Sequence, residues 1–111
     1  MSDTPAQSPT LNPWRPMTDA LDLAHLGKLG EELNEAGAAV SRCIIQGIDE
    51  REPVTGKVNR EWLEDEIADV LAGIDLVAFH FGLDPVCIAL RVARKKAHLR
   101  NWHAMIKHGA V

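Results

Sequence analysis

Apolar residues recur three and four positions apart along three stretches of this 111-residue chain. The first stretch runs from about Thr18 to Gln46, with Leu26, Leu29, Leu33, Ala36, Val40, Cys43 and Ile44 on one stripe. That period marks an amphipathic helix. Thr18 is placed to cap its start and Gly47 to stop it. The second stretch runs from Asn59, a capping residue type, to about Phe81, with the stripe Leu63, Ile67, Val70, Ile74, Val77 and Phe81 closed by Gly82. Asp84 followed by Pro85 is a start signal for a third helix, reaching about Trp102. Only Leu83 separates the Gly82 stop from that start, which predicts that the second and third helices are antiparallel neighbours. Residues 47–58 hold two glycines and Pro53 and read as a loop. Residues 1–16, with four prolines, read as a flexible N-terminal arm. Residues 17–111 then form one all-α domain: an antiparallel bundle of three main helices with a short frayed tail.

Composition supports helices. Alanine and leucine together number 26 and tyrosine is absent, a mix that disfavours a β-sandwich or barrel. No apolar run approaches the roughly 18 residues of a membrane helix. The start, MSDTPAQSPTLNP, lacks the basic and apolar regions of a signal peptide. The expectation is a cytoplasmic protein with no membrane partner, whose Cys43 and Cys87 are reduced, packed thiols. Three helices of this length leave an apolar face over, so burial by oligomerisation is expected.

Charge sharpens the picture. The net charge of −4 argues against a nucleic-acid partner. It also hides an asymmetry. The first 84 residues carry a net −10, whereas the last 27 hold six Lys/Arg and no acid.

The acids fall into pairs. The first helix carries Glu31, Glu32 and Glu35; the second carries Glu64, Asp65, Glu66 and Asp69. Residues three apart are neighbours on a helix surface, where like charges repel. With about 100° per residue, Glu32 and Glu35 sit at one edge of the first stripe, and Glu66 and Asp69 at the matching edge of the second. Glu31, Glu64 and Asp65 point further toward water. If the helices pack antiparallel through their stripes, Glu32, Glu35, Glu66 and Asp69 converge. Without a cation, such a cluster would raise its own pKa values and open the bundle. With Mg²⁺, or Mn²⁺ as a substitute, it makes an oxygen-lined cage. The bland alternative is a pair of solvated acidic faces at the rim of the core.

The third helix carries Arg91, Arg94, Lys95, Lys96, His98 and Arg100 beside the apolar side Val86, Ala89, Leu90, Ala93 and Ala97. Cations suit the C-terminal end of any helix dipole. Next to an acidic metal cage they also suit phosphate.

The motif EE-x-x-E on one helix (Glu31, Glu32, Glu35) followed by E-x-x-D on the next (Glu66, Asp69) resembles the MazG-type all-α NTP pyrophosphohydrolases. The surrounding KLGEELNEAG and EDEIADVLAGIDLVA are similar to that family as well. The resemblance covers about residues 21–102. It implies that Glu32, Glu35, Glu66 and Asp69 bind Mg²⁺ and that Arg94, Lys95, His98 and Arg100 hold phosphates. Arg94 and His98 stand where the family often has Lys and Asn. It implies hydrolysis of a nucleoside triphosphate to the monophosphate and pyrophosphate, leaning toward a purine deoxynucleotide such as dGTP, in a homodimer or homotetramer. A metal-activated water would attack at the α–β anhydride. Glu31 or Glu35 would orient it or take its proton. Thirty residues lie between Glu35 and Glu66, long for the family, so 47–58 reads as an insertion. Trp14 and Trp62 are candidates for stacking on the base, or else packing aromatics.

Other chemistries fit less well. Thr55-Gly56-Lys57 is no phosphate loop, because Val58 replaces the required Ser/Thr and Arg51 the first Gly. A di-iron bundle would want Glu-x-x-His pairs. His25 and His80 lie turns away and read as rim or pocket residues. The non-enzyme alternative is a helical oligomer that binds a metal–nucleotide without turning it over, or binds a protein partner.

Overall fold

The computed structural model describes residues 13–109. They form three helices: α1 (Ala20–Gln46), α2 (Asn59–Phe81) and α3 (Pro85–Lys107). Apart from a single bridge between Arg51 and Val58, no β-pairing occurs among the described residues. Among the described residues, no helix is long and apolar enough to cross a membrane. Of the expected arm, residues 1–12 lie outside the described residues, as do 110 and 111.

The ends differ in detail from the expected caps. Asp19, not Thr18, caps α1, its carboxylate accepting from the Asp22 amide at 2.9 Å. Asn59 does not cap α2. The N-cap is Val58, with no side-chain bond. Asn59 is instead fully buried, and its Nδ2 donates to Gln46 Oε1 at 3.0 Å and to the Gly47 carbonyl at 3.1 Å. It ties the end of α1 to the start of α2. The loop between them is ordered: the Glu52 carboxylate accepts from Val54 N, Thr55 N and Thr55 Oγ1, and Arg51 donates to the Gly56 carbonyl. α3 continues five residues past Trp102, because no breaker stands before Gly109.

α1 and α2 pack as an antiparallel hairpin. His25 stacks on His80 at the open end, Leu29 meets Gly73 in the middle, and Gln46 meets Asn59 at the closed end. The seam is built from small residues. Ala39 and Val77 are its buried apolar members, Ala36 and Gly73 are half-buried, and a Cβ on Gly73 would stand 3.2 Å from Leu29 Cδ1. Of the expected stripes, Leu29, Leu63, Val70, Val77 and Phe81 are half-buried or buried, whereas Leu33 is 50% exposed and Ile44 78%. Small side chains let the helices approach closely, so the contact line runs where alanine and glycine permit it.

α3 does not fold back. It packs along neither α1 nor α2. Val86 and Leu90 on its apolar side are 65% and 64% exposed. The connection explains its course. Gly82 adopts a left-handed conformation (φ 62°), its N–H and that of Leu83 bond back to α2, and Asp84 Oδ1 at once accepts from Val86 N and Cys87 N. Both helix ends are thus fixed across three residues with no slack. Cys43 is half-buried, but Cys87 is exposed rather than packed. The radius of gyration is 20.5 Å, against about 13 Å for a compact domain of this length.

Candidate metal centre

The hairpin register puts acids face to face. Glu32 lies across from Gly73, with its Cγ 4.0 Å from where a Gly73 Cβ would be. The same register sets Glu35 and Ala36 across from Asp69 and Val70, and Ala39 across from Glu66. Glu32 and Glu66 are half-buried in the seam, whereas Glu35 and Asp69 are exposed at its lip. The sequence placed all four at the stripe edge. The seam runs through two of them.

The electrostatics follow this order. The Glu32 carboxyl is pushed above the ordinary glutamate value. Partial desolvation comes first, then a hydrogen bond shared with Glu35, with like charge from Glu35 and Asp69 adding to it against the pull of Lys28. Glu31 is held below the ordinary value by Lys28, whose Nζ donates to it at 2.8 Å. Glu66 stands apart from this trio. One of its oxygens, Oε2, is buried without a protein partner. Along the seam, Glu66 and Glu32 are separated by about seven residues of rise, about 10 Å. Among the described residues, no three His, Cys, Asp or Glu side chains stand close enough to enclose a metal ion.

The donor set nevertheless suits a hard divalent cation. All four candidates are carboxylates, Glu32 shares a hydrogen bond with Glu35 and feels the charge of Asp69, and one Glu66 oxygen is buried without a partner. An oxygen-seeking ion would relieve both features.

The remaining expected site residues are dispersed. Arg94, Lys95, His98 and Arg100 lie exposed on α3, away from the acids of their own chain. Trp62 is half-buried, with Lys57 Nζ 4.6 Å and Arg42 Cζ 5.0 Å from its ring centroid. Cations therefore already sit on the ring proposed to stack on a base. Trp14 is 79% exposed.

Lys28 and Gly73 near the seam were not singled out from the sequence, which read His25 and His80 as rim or pocket residues. Lys28 and Lys57 are the cations nearest the acids: Lys57 bonds Asp65 and lies within the field of Glu66. At the open end, His80 Nε2 lies 2.6 Å from Asp22 Oδ1, with the His25 ring stacked on His80 at 4.0 Å. Gly73 was detectable, since an isolated glycine inside a helical pattern marks a close approach.

Compared with protein-family models, curated proteins and solved structures, the chain finds no match.

Proposed function

We propose that the chain is a Mg²⁺-dependent nucleoside triphosphate pyrophosphohydrolase of the MazG type, cleaving a (d)NTP to the (d)NMP and pyrophosphate. One observation carries this reading: the half-buried Glu32 carboxyl shares a hydrogen bond with Glu35 and feels the charge of Asp69 across the hairpin seam, with the unpartnered Glu66 oxygen one turn beyond Asp69.

In this reading Glu32, Glu35, Glu66 and Asp69 hold the metal. When bound, Mg²⁺ or Mn²⁺ supplies Lewis-acid polarisation of phosphate oxygens and an acidified water. The protein's own part is orientation and proton transfer. Glu35 stands at the open lip of the seam, where a nucleophilic water can reach it, and accepts that water's proton. Glu31 is less suited, because Lys28 engages it and lowers its basicity. Water adds at a phosphorus of the α–β anhydride, the bridging P–O bond breaks, and pyrophosphate leaves. Cations must offset the charge on the leaving group, and Lys28 and Lys57 flank the seam for that purpose. The substrate leans to a purine deoxynucleotide such as dGTP, the location to the cytoplasm and the assembly to a homodimer or homotetramer.

A second reading is favoured by the open geometry of the four acids and the exposed apolar residues of α3: an oligomeric binding module that holds a metal–nucleotide without turnover. A panel of the eight common NTPs and dNTPs with Mg²⁺, followed by separation of products, decides between them. NMP plus pyrophosphate from at least one supports the enzyme. No turnover of any of the eight rejects it.

A further inference from the structure

At the closed end of the hairpin, two buried N–H groups have no acceptor. They are Nε of Arg42, on α1, and Nε1 of Trp62, on α2. The two side chains lie against each other, with Arg42 Cζ 5.0 Å from the Trp62 ring centroid. Lys57 Nζ, from the loop, stands 4.6 Å from the same centroid. Donors from three segments of the chain therefore meet around one indole.

The surrounding contacts hold these donors in place. Asn59 donates to Gln46 and Gly47, and its carbonyl accepts from Cys43 Sγ at 3.8 Å, so the turn of α1 that carries Arg42 is fixed to the start of α2. Lys57 is set by the ordered loop: Glu52 N donates to the Lys57 carbonyl at 2.8 Å, and Arg51 bridges to Val58. No acid of the chain answers Arg42. Among the described residues it makes no hydrogen bond and no salt bridge. Glu52 feels its charge, but Glu52 Oε1 is committed to Val54 N, Thr55 N and Thr55 Oγ1. Lys57 is shared with Asp65, so the uncompensated charge here is that of Arg42. A half-buried guanidinium with an orphaned N–H is costly unless an acceptor meets it. A buried indole N–H likewise usually has one. The group that accepts from both and offsets the charge is an oxyanion. The first turn of α2, which no side chain caps, adds the positive end of its dipole.

We propose that Arg42, Trp62 and Lys57 form an oxyanion-binding pocket that takes a phosphate or carboxylate group without a metal ion. Arg42 Nε–H and Trp62 Nε1–H each donate to the anion, and Lys57 supplies charge and a further donor. Trp62 and Glu66 are four apart on α2, so the pocket begins one turn from the acidic seam. It uses none of the four metal candidates and none of the cations of α3. It also changes the part played by Trp62: the indole N–H meets the ligand, while Arg42 and Lys57 lie over the ring.

The test is a titration of the ¹⁵N-labelled full chain in EDTA, at constant ionic strength set with chloride, once with inorganic phosphate and once with malonate. The Trp62 indole N–H resonance is assigned by its loss in Trp62→Phe, and the Arg42 Nε–H resonance by its loss in Arg42→Gln. Both should move and saturate with one shared Kd, while the Trp102 indole stays in place. Arg42→Gln should weaken the response at Trp62 about tenfold or more, the loss of one charge-assisted hydrogen bond. Trp62→Phe, which keeps an aromatic ring beneath both cations, should weaken the response at Arg42 about fivefold. Saturation by phosphate alone assigns the pocket to phosphoryl groups, by malonate alone to carboxylates, and by both to oxyanions generally. Stationary resonances in both titrations, movement confined to Trp102 and the guanidinium groups of α3, or an unchanged Trp62 response in folded Arg42→Gln overturns the pocket. The pocket does not rest on the hydrolase reading. If it titrates while no nucleotide is turned over, that reading fails and the pocket stands; turnover without titration does the reverse.

Discussion

Gly73 sets how closely the two acidic helices approach, and enlarging it tests whether that approach matters. A Cβ there would stand 3.2 Å from Leu29 Cδ1 and 4.0 Å from Glu32 Cγ. For Gly73→Ala, removing a glycine from a helix interior gains about 1 kcal/mol. The tight contact is with the tip of a flexible leucine, which moves aside at small cost. The net expectation is a stabilisation of roughly 0.5–1 kcal/mol. Gly73→Leu keeps the propensity gain but drives a branched side chain into the seam, and overpacking costs about 1–3 kcal/mol. It should be destabilised by up to about 2 kcal/mol relative to wild type. It should also move Glu32 away from Asp69 and weaken Mn²⁺ binding without touching a carboxylate. Urea unfolding at fixed protein concentration reads the first effect, and titration of the Mn²⁺ electron paramagnetic resonance signal reads the second. If Gly73→Leu keeps both wild-type stability and wild-type Mn²⁺ affinity, the close approach at Gly73 does not organise the site.

Glu32 gives a pH signature. Its folded-state titration lies above the unfolded one, so protonation favours the fold; its contribution is complete below about pH 4.3 and is lost as pH rises through the raised value. In EDTA, the Tm of wild type relative to Glu32→Gln should therefore fall as pH rises above that point, and parallel profiles would dismiss the assignment. Asn59→Ala removes the donor to Gln46 and Gly47 and should cost about 1–3 kcal/mol in urea unfolding; a loss below about 0.5 kcal/mol, the size of an ordinary surface change, would mean the pin is dispensable. Steady-state kinetics should separate the two candidate bases: Glu31→Gln retains most of kcat, whereas Glu35→Gln loses about a hundredfold or more, the usual size of general-base catalysis. Equal losses would contradict the roles assigned from the Lys28 contact.

The helices were legible in the sequence because their signals are local. Apolar periodicity, Gly47 and Gly82 as stops, and Asp84-Pro85 as a start place three helices close to where they stand. Which face of each helix is used was less legible. The expected stripe includes Ala36 but also Leu33 and Ile44, which are exposed, while the seam takes in Ala39 and Gly73, which the stripe omits. Side-chain size mattered there through what it allows the backbones to do, and a hydrophobicity pattern does not record that. The direction of α3 is hidden from the sequence for a related reason. A short connection favours antiparallel neighbours, but Gly82 and the Asp84 cap fix a different exit. Glu32 shares a hydrogen bond with Glu35 and feels the charge of Asp69 across the seam, but among the described residues no three acids stand close enough to enclose an ion, and Glu66 lies further along because the register was not contained in either helix alone.

The most direct test follows product formation by ³¹P NMR, with dGTP and Mg²⁺, for wild type and Glu66→Gln. The account predicts paired growth of the dGMP and pyrophosphate resonances in wild type. It predicts neither in Glu66→Gln, whose circular dichroism stays helical. dGDP with inorganic phosphate, or equal turnover by both proteins, would contradict the claim that the acidic seam cleaves the α–β anhydride.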